Sequence, residues 1–217
     1  MGDQYSLTLK NRSPQPGLTF AVYTVAPDGI SDAADSYPIA WLTKALNEGN
    51  DVTFTWTLEF TLMFASMGAE SGTVWKEHGA LAVNDNSSSR NSAQLGFEHG
   101  DYTFRLNNGA HPVKPGHVYL DTTSQVPSWT AENGPSVALA IATGKDNVPR
   151  PAIAGNSGPL LHHRFDLHPT YYIRAGHMDQ GEMADLDTVT EGQKVIFAAG
   201  VTDSTWTFNA DNTWSQG

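Results

Sequence analysis

Apolar and polar residues alternate along much of this chain with a period of two. From Val52 to Phe60 every second residue is apolar (Val52, Phe54, Trp56, Leu58, Phe60), and Thr53, Thr55, Thr57 and Glu59 lie between them. Successive strand side chains point to opposite faces, so this segment predicts a strand with one dry and one wet face. Threonine suits the wet face because its branched Cβ packs well on a pleated surface. Tyr5, Leu7 and Leu9 repeat the pattern, as do Leu18, Phe20 and Val22 after the turn-like run Ser13 to Gly17. Tyr102, Phe104 and Leu106 form a further run between Gly100-Asp101 and Asn107-Asn108-Gly109. Val137, Leu139 and Ile141 alternate with Ala138, Ala140 and Ala142, which predicts close packing on the alanine face. Val118 to Leu120, Val195 to Ala198 and Trp206 with Phe208 continue the series, and Asp211-Asn212 before Trp214 reads as a closing hairpin.

Helical periodicity is scarce. Tyr37 to Leu46 reads as a short helix or turn, with Pro38 in its first turn. Asp85 to Ser92 and Lys145 to Pro159 are irregular, and the second reads as a long surface loop. The 12 prolines and 20 glycines fall mostly between the alternating runs, as turn punctuation does. The expected fold is therefore all-β: one antiparallel β-sandwich domain over residues 1–217, jelly-roll-like, with at most one short helix.

Charge narrows the function. The chain of 217 residues carries 12 Lys+Arg against 23 Asp+Glu, a net charge of −11, with no basic cluster. That speaks against nucleic acid, which needs a basic footprint, and against anchoring on anionic membranes. The absence of cysteine leaves no disulfide framework, thiolate metal site or thiol nucleophile. No apolar run is long enough for a transmembrane helix and the start lacks a signal-peptide pattern, so a soluble, cytoplasmic protein is expected.

The segment Leu160 to Pro169 is the richest in chemistry. Read as a strand, it places Leu161, His163, Phe165 and Leu167 on one face and His162, Arg164, Asp166 and His168 on the other. Asp166 and His168, two residues apart, stand about 7 Å apart at the usual strand rise. His177 and Asp179 follow as an H-x-D pair. Imidazole and carboxylate are the donors of zinc and non-haem iron sites, so His162, Asp166, His168 and His177 are candidate ligands for a divalent transition metal. The same polar row also reads as an ion-pair ladder on a solvated face, with Arg164 at its centre. His111 and His117, set among Pro and Gly, are extra ligands or plain surface histidines, and His78 and His99 sit near strand ends. Glu182, Asp185 and Asp187 are a carboxylate group with the spacing of a turn. No nucleophile elbow or phosphate-binding loop is present.

Tryptophans suggest a second kind of site. Trp41, Trp75 and Trp129 lie near strand or loop ends, where an indole stacks on a sugar or another flat ligand, and Trp206 and Trp214 lie similarly. Trp56 belongs to a dry row and is a core residue by pattern, and core filling is the plain alternative for the other tryptophans.

Several segments resemble the RhiA-like family, named for a rhizosphere-expressed rhizobial protein. They are Tyr5 to Ser13, Phe20 to Pro27, Ile39 to Lys44, Val52 to Leu58, Gln180-Gly181-Glu182 with Asp185, and Phe208 to Trp214. The resemblance is weakest over residues 75–160. These are strand and turn words, so the resemblance implies a small soluble bacterial protein and supplies no catalytic residue. Two functions follow as expectations. One is a non-enzymatic binder of a small polar ligand or another protein, able to pair as a homodimer through a sheet face or edge. The other is a metal-dependent enzyme built on the histidines.

Overall fold

The computed structural model describes residues 4–26, 30, 36–130 and 134–217. In chain order the strands are β1 (Gln4–Asn11), β2 (Thr19–Val25), β3 (Ser36–Pro38), β4 (Leu42–Ala45), β5 (Asp51–Ala65) and β6 (Gly79–Val83). Then come β7 (Ser92–Glu98), β8 (Asp101–Leu106), β9 (His117–Thr122), β10 (Ser136–Thr143) and β11 (Val148–Asn156). The chain closes with β12 (His162–Asp166), β13 (Thr170–Gly176), helix α1 (Leu186–Thr190), β14 (Gln193–Val195), β15 (Asp203–Phe208) and β16 (Trp214–Gln216). The all-β, sandwich-like expectation holds.

An eight-stranded sheet runs β16-β15-β1-β5-β10-β11-β3, with β6 also on β5. Two four-stranded sheets, β14-β13-β2-β4 and β12-β9-β7-β8, complete the fold. Pairing is antiparallel except between β1 and β15 and between β7 and β9. The dry row of β5 serves both small sheets. Its first half, Phe54 and Trp56, packs with Leu7, Leu9, Phe20, Val22 and Ile173. Its second half, Leu62 and Phe64, packs with Leu95, Leu120, Val137, Leu139 and Phe165. Between the halves the β5–β10 register skips from Thr57 to Phe60, an irregularity that bends the strand between the two cores.

The opposite face of the large sheet is covered in its middle. Met63, Ala138, Ala140 and Ala154 meet Ile39, Trp75 and Met183 there, so every residue of β10 is buried. The alanine row allows this close approach. The threonine row of β5 is exposed or half-buried, as its pattern requires.

Two local expectations are corrected. Tyr37 to Leu46 is not helical: it supplies β3 and β4, with Ile39, Ala40 and Trp41 all buried. Burial of consecutive residues between layers wins over a one-sided helix, and Pro38 is tolerated because β3 is an edge strand. The sole helix among the described residues is α1, whose Val189 packs with Tyr23 and Val25 behind β2. Lys145 to Pro159 is not a loop either, since β11 occupies most of it. Its prolines fit because β3 pairs only with Ile153, Ala154 and Gly155, leaving Pro149 and Pro151 without a neighbour on that side. The β10–β11 register also shifts beside Pro151, where Ala152 is left over. The Asp211-Asn212 hairpin forms as expected: Asn212 takes a positive φ of 64° and Phe208 pairs with Trp214. Pro27, which ends one of the family-like segments, lies outside the described residues.

Trp56 is the centre of the first core. Its ring stacks on Tyr5 at 5.9 Å and meets Trp41 edge-on at 5.6 Å and Phe197 at 5.7 Å. Its Nε1–H donates to the Tyr171 hydroxyl at 3.2 Å. Trp56→Ala should therefore cost about 3–5 kcal/mol of stability, read as a shifted urea midpoint; a loss below about 1 kcal/mol would show that this cluster is not central.

His163 faces the other core from β12. Its Nε2 lies 2.8 Å from the Ser157 hydroxyl, and its Nδ1 has no partner among the described residues. Burial disfavours the charged imidazolium and pulls its pKa down to about 4 from 6.5, against the opposing pull of the Asp121 carboxylate. The unfolded chain then binds the extra proton between pH 6.5 and 4, and the folded chain does not. The neutral-imidazole contribution is complete above pH 6.5 and is lost as pH falls towards 4, on the order of 3 kcal/mol. Urea titrations across this range should show a shallower pH dependence for His163→Gln than for the native chain. A constant difference between the two at every pH would contradict this.

Candidate functional site

Strand β12 shows the alternation expected of it, with His163 and Phe165 buried and His162 and Arg164 exposed. What faces His162 comes from elsewhere. β12 pairs with β9 so that His162 stands opposite Asp121, and directly opposed residues share a face of the sheet. The His162 Nδ1 lies 2.8 Å from Asp121 Oδ1. His111, from the segment between β8 and β9, brings its Nε2 to 2.8 Å from Asp121 Oδ2 and 3.0 Å from Oδ1. One donor atom from each of the three lies within 4.8 Å of the others.

The cluster is held from behind. Asn107 Nδ2–H donates to Asp121 Oδ2 at 3.1 Å. The His111 ring lies flat on Tyr119, with centroids 4.3 Å apart and planes 10° apart. The fully buried Asn91 donates its amide hydrogens to the carbonyls of His111 and Pro112, which pins the segment carrying His111. Asp121 is nearly buried, His111 is largely covered and the His162 side chain is 76% exposed. The cluster therefore opens to solvent on the His162 side.

The other expected ligands go elsewhere. Asp166 Oδ1 accepts the backbone N–H of His168 at 2.8 Å and lies 3.4 Å from its Nδ1, a local turn contact. Asp166 is four strand residues from His162, about 13 Å. His177 follows β13, beside the turn at Gly17, on the sheet that does not contain β12. His162, Asp166, His168 and His177 thus do not share one centre, because four residues spread along two strand ends have no common register. Glu182 Oε2 accepts the Asp179 backbone N–H, and the Asp185 side chain makes no cap at α1. His111, set among Pro and Gly, read as an extra ligand or a plain surface residue. The available signal for Asp121 was a carboxylate directly following the apolar strand run Val118 to Leu120.

The tryptophans divide. Trp41 is buried at 1% exposure against Trp56 and Tyr171, so it is core and offers no surface to a ligand. Trp206 and Trp214 also pack in the first core. Trp75 and Trp129, by contrast, line one groove of about 350 Å³ with Tyr37, Met67, Glu70, Thr73, Val74 and Lys76. Trp75 forms its buried side, with Nε1–H donating to Ser136 Oγ at 2.8 Å. Trp129 is 42% exposed and its indole rests on Gly68, where a Cβ would come within 1.9 Å of Nε1. The segment between them is fastened by Asn156, whose amide receives the Ala69 N–H and donates to the Ala69 carbonyl. Main-chain bonds from Gly72 to Met183 and from Trp75 to Gly181 fasten its other end.

No helix among the described residues is long and apolar enough to cross a membrane. No solved structure matches this chain. Protein RhiA of Rhizobium leguminosarum bv. viciae is 29% identical over 217 residues, covering 98% of this chain and 86% of that protein. The RhiA family model matches residues 2–216. This chain belongs to the RhiA family.

Proposed function

We propose that this RhiA-family protein is a non-enzymatic binding protein whose Trp75–Trp129 groove takes a small polar ligand with one flat apolar face, a sugar ring being the best-matched class. The observation that carries this reading is the gathering of exposed apolar side chains at one place. Met67, Val74 and Trp129 are exposed at 68%, 44% and 42%, and all three line this groove. Scattered exposed apolar residues need no explanation, but a cluster in a concavity does. The volume falls within the usual range for small-molecule sites, about 300–1,000 Å³. Glu70, Thr73 and Lys76 supply both acceptors and donors around the indole, which suits a ring bearing hydroxyls. The larger cleft of about 630 Å³ beside Asp85 and His168 has no tryptophan in its lining.

Titration of a panel of mono- and disaccharides, followed by amide chemical shifts, tests the reading. Saturable shifts centred on Gly68, Trp75 and Trp129 are expected for at least one sugar. Trp129→Ala should weaken that binding about tenfold, the worth of one aromatic stacking contact. Gly68→Ala should do the same by pushing the indole off its seat; its Cβ also stands 3.1 Å from Asn156 Oδ1, so its melting curve is read beside that of Trp129→Ala, which leaves Asn156 in place. A panel that leaves the groove resonances unshifted, or binding indifferent to both variants, would overturn the proposal.

A further inference from the structure

We infer that His111, Asp121 and His162 form a binding site for one divalent transition-metal ion, with zinc the best match. This site is separate from the aromatic groove and does not depend on a ligand binding there. Two imidazole nitrogens are borderline donors that favour zinc and its neighbours over calcium or magnesium, which take oxygen ligands, and zinc accepts a carboxylate oxygen beside them.

The geometry is close to what an ion requires. Ligand atoms held about 2 Å from one tetrahedral ion stand about 3.3 Å apart. The carboxylate oxygen Oδ1 lies 3.0 Å from His111 Nε2 and 2.8 Å from His162 Nδ1, and one donor atom of each residue lies within 4.8 Å of the others, so side-chain rotation brings the set to one ion. Two of the three ligands are already oriented: His111 by the Tyr119 ring and the Asn91 clamp, and Asp121 by its strand and Asn107. Partners of this kind aim the donor atoms and raise metal affinity. His162, exposed and opposite Asp121 in register, has the freedom to swing the remaining distance.

The charges agree. Asp121 with two neutral imidazoles has one negative charge, and the chain as a whole has a charge of −11. Arg164, two residues along the outward face, is exposed, so water and salt screen its repulsion. Three protein ligands leave at least one position towards solvent, where His162 is open. That is the coordination of a site that also takes water or a small anion, in contrast to a closed structural site with four protein ligands.

The test uses the full chain without an affinity tag, stripped with EDTA and titrated calorimetrically with zinc chloride. Cobalt(II) supplies a visible spectrum as a second readout of the ligand field. One equivalent of zinc is expected. Losing even an outer partner of a ligand costs about 10–100-fold in metal affinity, so His111→Ala and His162→Ala should each weaken binding at least that much. Asp121→Asn should do so too, with its melting curve in EDTA reporting whether it folds. His162 is exposed, so His162→Ala keeps the test decisive if Asp121→Asn does not fold. His117→Ala and His168→Ala, at a half-buried and an exposed histidine outside the cluster, should leave affinity and the cobalt spectrum unchanged. Substoichiometric zinc, or binding that survives His111→Ala and His162→Ala, would overturn the assignment.

Discussion

The burial of one face of a single long strand is the constraint on which the rest of the structure depends. β5 spans 15 residues and no short sheet could cover its dry row alone. Two smaller sheets divide the work, one closing over Trp56 and the other over Leu62 and Phe64. Apolar burial has no direction of its own, so it fixes which face is covered and leaves the covering elements to shape and register. The irregularity opposite Ile141 and Ala142 lets one strand serve two cores at different angles. Both candidate sites rest on this arrangement: the groove sits behind Met63 and Ala65, and the His/Asp cluster is borne by the sheet that packs on Leu62 and Phe64.

Buried asparagines connect that framework to its loops. Asn11 donates to the Leu46 carbonyl and accepts the Ser13 N–H, Asn91 holds the His111 segment and Asn156 holds Ala69 from both sides. A primary amide can both donate and accept, as Asn11 and Asn156 do, while Asn91 only donates, its Oδ1 having no partner among the described residues. Leaving such a group unpaired costs about 1–3 kcal/mol, which holds each loop in place once the core forms. Two of the three clamps lie directly behind the candidate sites. The loops that carry the candidate sites are thus fastened by polar side chains anchored on strands, a way to hold irregular backbone in a protein with no disulfides.

Little of the candidate chemistry was legible as motif. His162 stood out because its strand alternated cleanly, and Trp75 and Trp129 because they lay near the ends of elements. The partners of His162 did not stand out: His111, Asp121 and His162 are separated by 10 and 41 residues, a spacing no local rule selects. Trp41 resembled Trp75 in its sequence setting; both are buried, and they differ in that Trp41 packs against Trp56 while Trp75 lines the groove. The prolines of β11 suggested a loop because the backbone penalty of proline depends on whether a neighbouring strand claims the missing N–H.

The amino-acid sequence by itself determined the strands with clear alternation, their inward faces, the closing hairpin and the dominance of β structure. Those properties are local: each follows from the period of side-chain direction along an extended backbone or from the conformational demands of a turn. Tertiary structure alone decided that β7 runs parallel to β9, that Asp121 faces His162 and that Trp129 settles on Gly68. The physical reason is register. A strand's own pattern states which side of it is dry, whereas the residue opposite any position is set by how distant strands slide until both cores are filled.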